Sequence, residues 1–416
     1  MSKIMFLYNN LERERVNIEF VKEELELLGN KVHMMHLASG DILRKLLKIR
    51  PDIIVTFPIT TQNQIYIYTF AKIICGSIIV TFTTEGLIDF ENQENLALSA
   101  GIYDYSDKLI DYHTFWGVPV AEKLGAILQE QNKLCDVKRI KVFGNPMYEK
   151  GRVLEYYGRD EIVQKLGKKN QKKVLVLSGF HASNYDKKEI LNAQDIINAD
   201  NCDEEQMDKI LDSFRIQRLY LDKYIDNILF AAQENPDILL LVKLHPQEIL
   251  MYKGNRKLPY LEKIENIDNI MVVKESIPIG VLLSQVDFMV HYGSTVDLEA
   301  YIYGVPTLKL EWEAENKMFF VEGIRLTEST YYEDVRDKTA IDKYIRLLKK
   351  SVSLFRENKN VEKQLYECMN YKLNQEYYPS REFAIFLNSI NKKNKLRLRK
   401  KEYINFFQWI GKQIFF

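Results

Sequence analysis

The chain has 416 residues, 46% of them hydrophobic and 28% charged, which is the balance of a folded soluble protein and the length of two domains. Only 18 Gly and 10 Pro occur, too few for a disordered or collagen-like chain. The four cysteines (Cys75, Cys135, Cys202, Cys368) are widely spaced without a CxxC pair, which excludes a disulfide scaffold and a cysteine zinc site and suits a reducing compartment. Net charge is zero, yet residues 391–416 hold eight Lys/Arg against Glu402 alone, so the remainder is acidic by seven. An acidic body argues against nucleic acid as the main partner.

The first residues, MSKIMFLYNNLERERV, are charged where a signal peptide needs its apolar region, and a cytoplasmic location is the expectation. Lys3–Tyr8 reads as a strand, and Val16, Phe20, Val21, Leu25 and Leu28 fall at helical spacing. Lys31–His36 is the next strand, and a helix over 40–49 stops before Pro51. Asp52–Phe57 and Ser77–Phe82 are further strands, and Lys141–Pro146 closes this half. The longest apolar stretch, around Phe70–Phe82, is broken by Lys72 and is too short to span a bilayer.

The pattern restarts with a buried strand at Lys172–Gly179. Residues 184–235 read as an inserted helical pair, and Ile238–Pro246, Asn269–Val273, Asp287–His291 and Thr307–Leu310 as strands. Residues 340–390 read as helical. Alternating strands and helices with apolar strands mean parallel sheets covered on both faces. The expected layout is an N-terminal Rossmann-like domain (1–165), a second Rossmann-like domain (166–340), C-terminal helices (341–390) and a basic-aromatic tail (391–416).

Three strand-end loops carry chemistry, because ligands of open α/β sheets sit beyond the carboxyl ends of strands. In residues 287–310 a strand runs into Gly293-Ser294-Thr295 and then a helix stopped by Gly304 and Pro306. Gly293 permits the turn, Ser294 or Thr295 caps the helix, and the free N–H groups make an anion site suited to phosphate. Glu299, one turn on, is placed to meet ribose hydroxyls; the plain alternative is a solvated side chain. In LVKLHPQE (Leu241–Glu248) a strand delivers Lys243, His245 and Pro246, and the imidazole can donate a hydrogen bond or proton to a leaving phosphate. In VTFTTEGLID (Val80–Asp89) Gly86 can turn Glu85 into a cleft as a base for an acceptor hydroxyl. Gly179 and His181 are candidates for donor contact. His33, His36 and His113 read as packing residues, and His291 as a neighbour of the anion turn. No DxD, Walker loop, GxGxxG, GxSxG or HExxH occurs, so no metal ligands and no cofactor are expected. The tail mixes cations with Phe406, Phe407, Trp409, Ile410, Ile414, Phe415 and Phe416, which suits an anionic membrane surface or a final helix packed on the body.

Arg13-Glu14, Thr84-Glu85-Gly86, Trp116-Gly117, Gly144-Asn145-Pro146, Leu244-His245-Pro246 and Gly293-Ser294-Thr295 with Glu299 form an ordered series. In it the sequence resembles bacterial surface-carbohydrate biosynthesis proteins of the GT-B glycosyltransferase fold, in particular capsule Kdo transferases and bacterial sialyltransferases. The resemblance implies two facing Rossmann-like domains with C-terminal helices crossing back to the first. It implies Glu85 as base, His245 as partner of the leaving phosphate, and Ser294 and Thr295 as phosphate ligands. It further implies sugar transfer from a nucleotide donor, preferably a CMP-linked ulosonic acid, to a surface polysaccharide or glycolipid at the inner membrane face. Position 84 is Thr where that family carries an acid. The His-Pro and Gly-Ser-Thr pair is also shared with UDP-N-acetylglucosamine 2-epimerases and with polyol-phosphate transferases that use CDP-glycerol, and both stay open as alternatives.

Overall fold

The computed structural model describes residues 1–56, 62–82, 109–119, 121–122, 125–126, 137–158, 160–167, 171–179, 204–292, 296–312, 330–373 and 376–390. The chain divides into two compact units, one of Met1–Pro146 together with the chain from Tyr366 onward, the other essentially Met147–Leu365. Both are Rossmann-like, with parallel sheets and covering helices.

The first unit opens with β1 (Lys3–Tyr8), α1 (Leu11–Leu27), β2 (Lys31–His36), α2 (Ile42–Ile49) and β3 (Ile53–Thr56). It continues with α3 (Gln62–Phe70), a π-helical turn (Ala71–Cys75), β4 (Ile78–Thr81), β5 (His113–Phe115) and β6 (Ile140–Val142). The sheet order is β2-β1-β3-β4, all parallel. A parallel bridge from Val80 to Tyr112 attaches the β5–β6 pair beyond β4. Asp111 fastens this junction: its Oδ2 accepts the Ile79 N–H at 2.8 Å and the buried Lys72 ammonium at 2.6 Å. Burial lowers the Lys72 pKa, and the Asp111 charge acts against that shift.

The second unit begins with α4 (Lys150–Tyr157), α5 (Glu161–Gly167), β7 (Lys173–Leu177), α6 (Glu204–Glu234) and β8 (Leu239–Lys243). It runs on through α7 (Pro246–Lys253), α8 (Pro259–Ile264), β9 (Ile270–Val273), α9 (Ile279–Leu283), β10 (Phe288–His291) and α10 (Val296–Tyr303). It ends with β11 (Thr307–Glu311), β12 (Thr330–Asp334) and α11 (Ala340–Lys349). After α12 (Lys359–Met369) the chain returns to the first unit as α13 (Pro379–Ser389). Of the span 184–235, where an inserted helical pair is expected, the described residues 204–234 form one continuous helix, α6, whose residues from Tyr220 to Ala232 enter the core; residues 184–203 lie outside the described residues.

Strand alternation fixes the first core. Met5 and Leu7 of β1 point to the face covered by α2 and α3, while Ile4 and Phe6 point to the face covered by α1 and α13. The last helix is therefore a layer of the first domain: Phe383, fully buried, stacks on Phe82 with centroids 4.9 Å apart and tilts against Phe143 at 5.3 Å. The preceding segment pins a strand-end loop. The Tyr377 hydroxyl accepts the Asn145 N–H at 3.0 Å and donates to the Met369 carbonyl at 3.0 Å. Gly144, at φ +78°, leaves room for that phenol, since a Cβ there would lie 2.0 Å from its oxygen.

Phe383→Ala removes a ring from the centre of this layer, and a loss of about 3–5 kcal/mol is expected in urea unfolding of the first unit. Ile385→Ala, on the exposed side of the same helix, is expected to change stability by less than about 0.5 kcal/mol.

Candidate functional site

The sheet of the second unit has the order β12-β11-β10-β7-β8-β9, all parallel. Counted from β7, this is the 3-2-1-4-5-6 order of dinucleotide-binding folds, in which winding reverses at the first strand. The chain leaves β7 toward β8 and β9, then crosses back to β10 on the other side. The crossovers diverge there, and in folds of this order ligands bind in the crevice beyond the carboxyl ends of the strands at the point of reversal, here β7 and β10. Ser178 and Gly179 follow β7, His245 follows β8, and Tyr292 follows β10, all at this end of the sheet. Since β8 and β10 flank β7, their ends are about 10 Å apart, two inter-strand spacings.

His245 starts α7 as its N-cap, with Pro246 at the first helical position. Its Nδ1 accepts the Gln247 N–H at 3.2 Å, so the neutral ring carries its proton on Nε2, which is then a donor. The His245 N–H is held by Glu248 Oε2 at 3.0 Å and by Ser178 Oγ at 3.2 Å, and the Ser178 hydroxyl also donates to the Glu248 carboxylate. Lys243 is buried, and its ammonium donates to the Leu244 carbonyl at 3.0 Å.

On the other side, the Tyr292 hydroxyl donates to the Gly179 carbonyl at 2.9 Å. A Cβ on Gly179 would lie 2.0 Å from that oxygen, so the absent side chain is what lets the two strand ends meet. Tyrosines of α6 cap the strand ends: Tyr224 donates to the Leu177 carbonyl at 2.9 Å, and Tyr220 to the Leu310 carbonyl. Burial and the Glu248 charge both raise the Tyr292 and Tyr224 pKa values, so these phenols stay protonated donors.

His291 closes β10 fully buried, its Nε2 2.8 Å from Asp297 Oδ1 in the first turn of α10. Glu299 is 2% exposed, not solvated. It accepts the Gly280 N–H of α9, and burial pushes its pKa up to about 8. Its Oε1 has no hydrogen-bond partner among the described residues.

Of the residues singled out in the sequence, the structure brings Gly179, Lys243, His245 and Pro246 together at one end of one sheet, with Glu299 on the helix that follows β10. Glu85, His181, Gly293, Ser294, Thr295 and the tail 391–416 lie outside the described residues. The sequence alone does not single out Ser178, Glu248, Tyr292 or Asp297. Glu248 had a signal: His-Pro-x-Glu puts a carboxylate at the third helical position after an N-cap, as in a capping box. Tyr292 and Ser178 had none, because their partners come from other strands. Among the described residues no group of three His, Cys, Asp or Glu is disposed to hold a metal ion.

Residues 221–310 match the family described as capsule polysaccharide biosynthesis protein, a span that runs from α6 through β8, α7, β10 and α10 to β11. No curated protein sequence matches the chain. Among solved structures, UDP-GlcNAc 2-epimerase from Methanocaldococcus jannaschii, in complex with UDP-GlcNAc and UDP, aligns with a TM-score of 0.53 at 13% identity, over 93% of this chain and 99% of that one. The Neisseria meningitidis enzyme bound to UDP-GlcNAc aligns at 0.52 and 13% identity, over 93% and 100%. S. aureus MnaA with UDP aligns at 0.51 and 12% identity, over 96% and 100%. At these identities the likeness is one of fold, a GT-B-like pair of Rossmann-like domains.

The buried Glu299 sets a pH dependence. The folded chain holds a proton that the unfolded chain releases above about pH 4.5, so the stability linked to this group is full below that pH and is lost as pH rises through about 8. Urea unfolding across that window is expected to show wild-type stability falling and Glu299→Gln removing this part of the fall.

Proposed function

We infer that the chain is an enzyme of bacterial capsule or surface polysaccharide biosynthesis that binds a nucleotide-sugar in its second unit and transfers the sugar to a growing glycan or glycolipid. The observation that carries this reading is the placement of His245 and of the start of α10 on either side of β7, where the winding of the sheet reverses. The capsule-family match over 221–310 and a fold shared with proteins solved with UDP-GlcNAc or UDP support it.

In the proposed reaction an acceptor hydroxyl attacks the anomeric carbon and the bond from that carbon to the phosphate oxygen breaks. Glu85 takes the hydroxyl proton, and His245 Nε2–H stabilises the departing phosphate. Ser294 and Thr295 with the Gly293 turn hold the phosphate, while Glu299 meets the ribose once the crevice admits it. Lys243, Pro246, Gly179 and His181 shape the rest of the donor site. The preferred donor is a CMP-linked ulosonic acid, and the tail 391–416 brings the enzyme to its acceptor at the inner membrane surface. No helix among the described residues is long and apolar enough to cross a membrane. The likeness to UDP-GlcNAc 2-epimerases favours a second reading, epimerisation of UDP-GlcNAc without an acceptor.

Thermal-shift titration with CMP, CDP, UDP and UDP-GlcNAc tests the site. A nucleotide at a hundred times its dissociation constant adds about 2.7 kcal/mol to stability, read as a rise in Tm. A rise with CMP that His245→Ala cuts by about half or more is the expected result. Stabilisation by UDP alone, with conversion of UDP-GlcNAc to its 2-epimer, decides for the second reading, and no shift with any nucleotide overturns both.

A further inference from the structure

Glu248 is a carboxylate with none of its surface exposed, and helix capping alone does not require that. A capping-box glutamate can do its work at the surface, whereas burying a carboxylate costs free energy that its hydrogen bonds must offset. Here the donors are the Ser178 hydroxyl and the His245 N–H. The Tyr260 hydroxyl lies beside the same carboxylate, with its pKa raised by burial first and by the Glu248 charge next. Ser178 comes from the end of β7 and His245 from the end of β8, so this one carboxylate ties the two strand ends at the crevice. The His245 backbone sits at φ −62°, ψ 148°, and its N–H has both Glu248 Oε2 and Ser178 Oγ within reach. With Nδ1 engaged by Gln247, the direction of Nε2 follows from that backbone.

We propose that Glu248, held by Ser178, is the positioning residue of this site: it fixes the His245 main chain and thereby the tautomer and direction of the imidazole presented at the carboxyl end of the sheet. The proposal deepens the reading of His245 as the partner of the donor's phosphate and rests on it. Glu248 itself touches neither donor nor acceptor; it acts through the ring. A glutamine with its amide oxygen in the place of Glu248 Oε2 can still accept both the His245 N–H and the Ser178 hydroxyl, so Glu248→Gln keeps the geometry that Glu248→Ala loses.

Two measurements on the full chain test this. NMR of the histidine ring nitrogens, without ligand, reports the His245 tautomer, with circular dichroism as the check on folding. Wild type and Glu248→Gln are expected to show the proton on Nε2, and Glu248→Ala a mixture of tautomers. Ser178→Ala, which disturbs the core less, is expected to shift the same resonance in the same direction. A tautomer unchanged in both Glu248→Ala and Ser178→Ala overturns the proposal whether or not nucleotide binds. The second measurement is a double-mutant cycle on nucleotide affinity, titrating CMP and UDP. Glu248→Ala is expected to weaken binding about tenfold or more, close to His245→Ala, because a lost hydrogen bond to a charged group costs that much. In the His245→Ala background it is expected to add nothing. Additive losses make Glu248 a structural residue and overturn the proposal, while the functional reading survives on the His245→Ala result. Failure of the wild type to bind either nucleotide instead removes the functional reading and leaves the tautomer experiment to decide the role of Glu248.

Discussion

A parallel sheet that winds first one way from β7 and then the other must leave its two crossovers diverging, and everything proposed for this protein depends on that divergence. Had β10 been laid beyond β9, the winding would not reverse, and the loop after β9 rather than a gap between diverging crossovers would lie between the His245 loop and the start of α10. The order β9-β8-β7-β10 places them one strand to either side of β7. The short residues after β7, Ser178 and Gly179, then occupy the floor between them. Gly179 yields its side-chain space to Tyr292, and Ser178 reaches sideways to Glu248 and the His245 N–H.

The floor is held by hydroxyls more than by charges. Strand-end carbonyls at Leu177, Gly179 and Leu310 each receive a tyrosine hydroxyl, from Tyr224, Tyr292 and Tyr220 respectively. A phenol suits this task because its ring fills the core while its oxygen satisfies a backbone acceptor that has run out of ladder partners. Three of these rings also touch one another, Tyr220 with Tyr224 at 6.1 Å and Tyr292 with both at 6.0 and 6.3 Å. A site that must meet phosphate gains from such rigidity, since donors held in place need not reorganise when charge arrives.

Much of this was legible in the sequence where a segment's own pattern decides its fate. β1, β2 and β9 are apolar runs bounded by turn residues, and α2 ends at Ile49, two residues before Pro51. The strands that the sequence does not announce have weak patterns. β5 is three residues long and begins with a buried His113, while β12 is TYYED, an edge strand with little of its surface in the core. Lys72 looked like an interruption of an apolar stretch, but its partner Asp111 lies 39 positions away, beyond what spacing can reveal. The burial of Glu299, which removes the plain alternative of a solvated side chain, is hidden for the same reason: it is decided by Gly280 on another helix. His245 and Pro246 were readable because strand, cap and proline are contiguous, whereas Ser178 gains its role only when β7 and β8 are side by side.

The return of α13 to the first unit has a consequence for biosynthesis. The ribosome releases the strands of the first sheet early, yet the face carrying Ile4, Phe6, Val55 and Val80 gains its second covering helix only when residues 379–389 emerge, after the whole second unit. The second unit, contiguous apart from its last crossing, can fold while that face still waits. Contacts this distant in sequence form slowly, and an apolar face left partly open in a nascent chain is a target for chaperones and for aggregation. A chain cut short by a few dozen residues would thus lose part of the core at its opposite terminus.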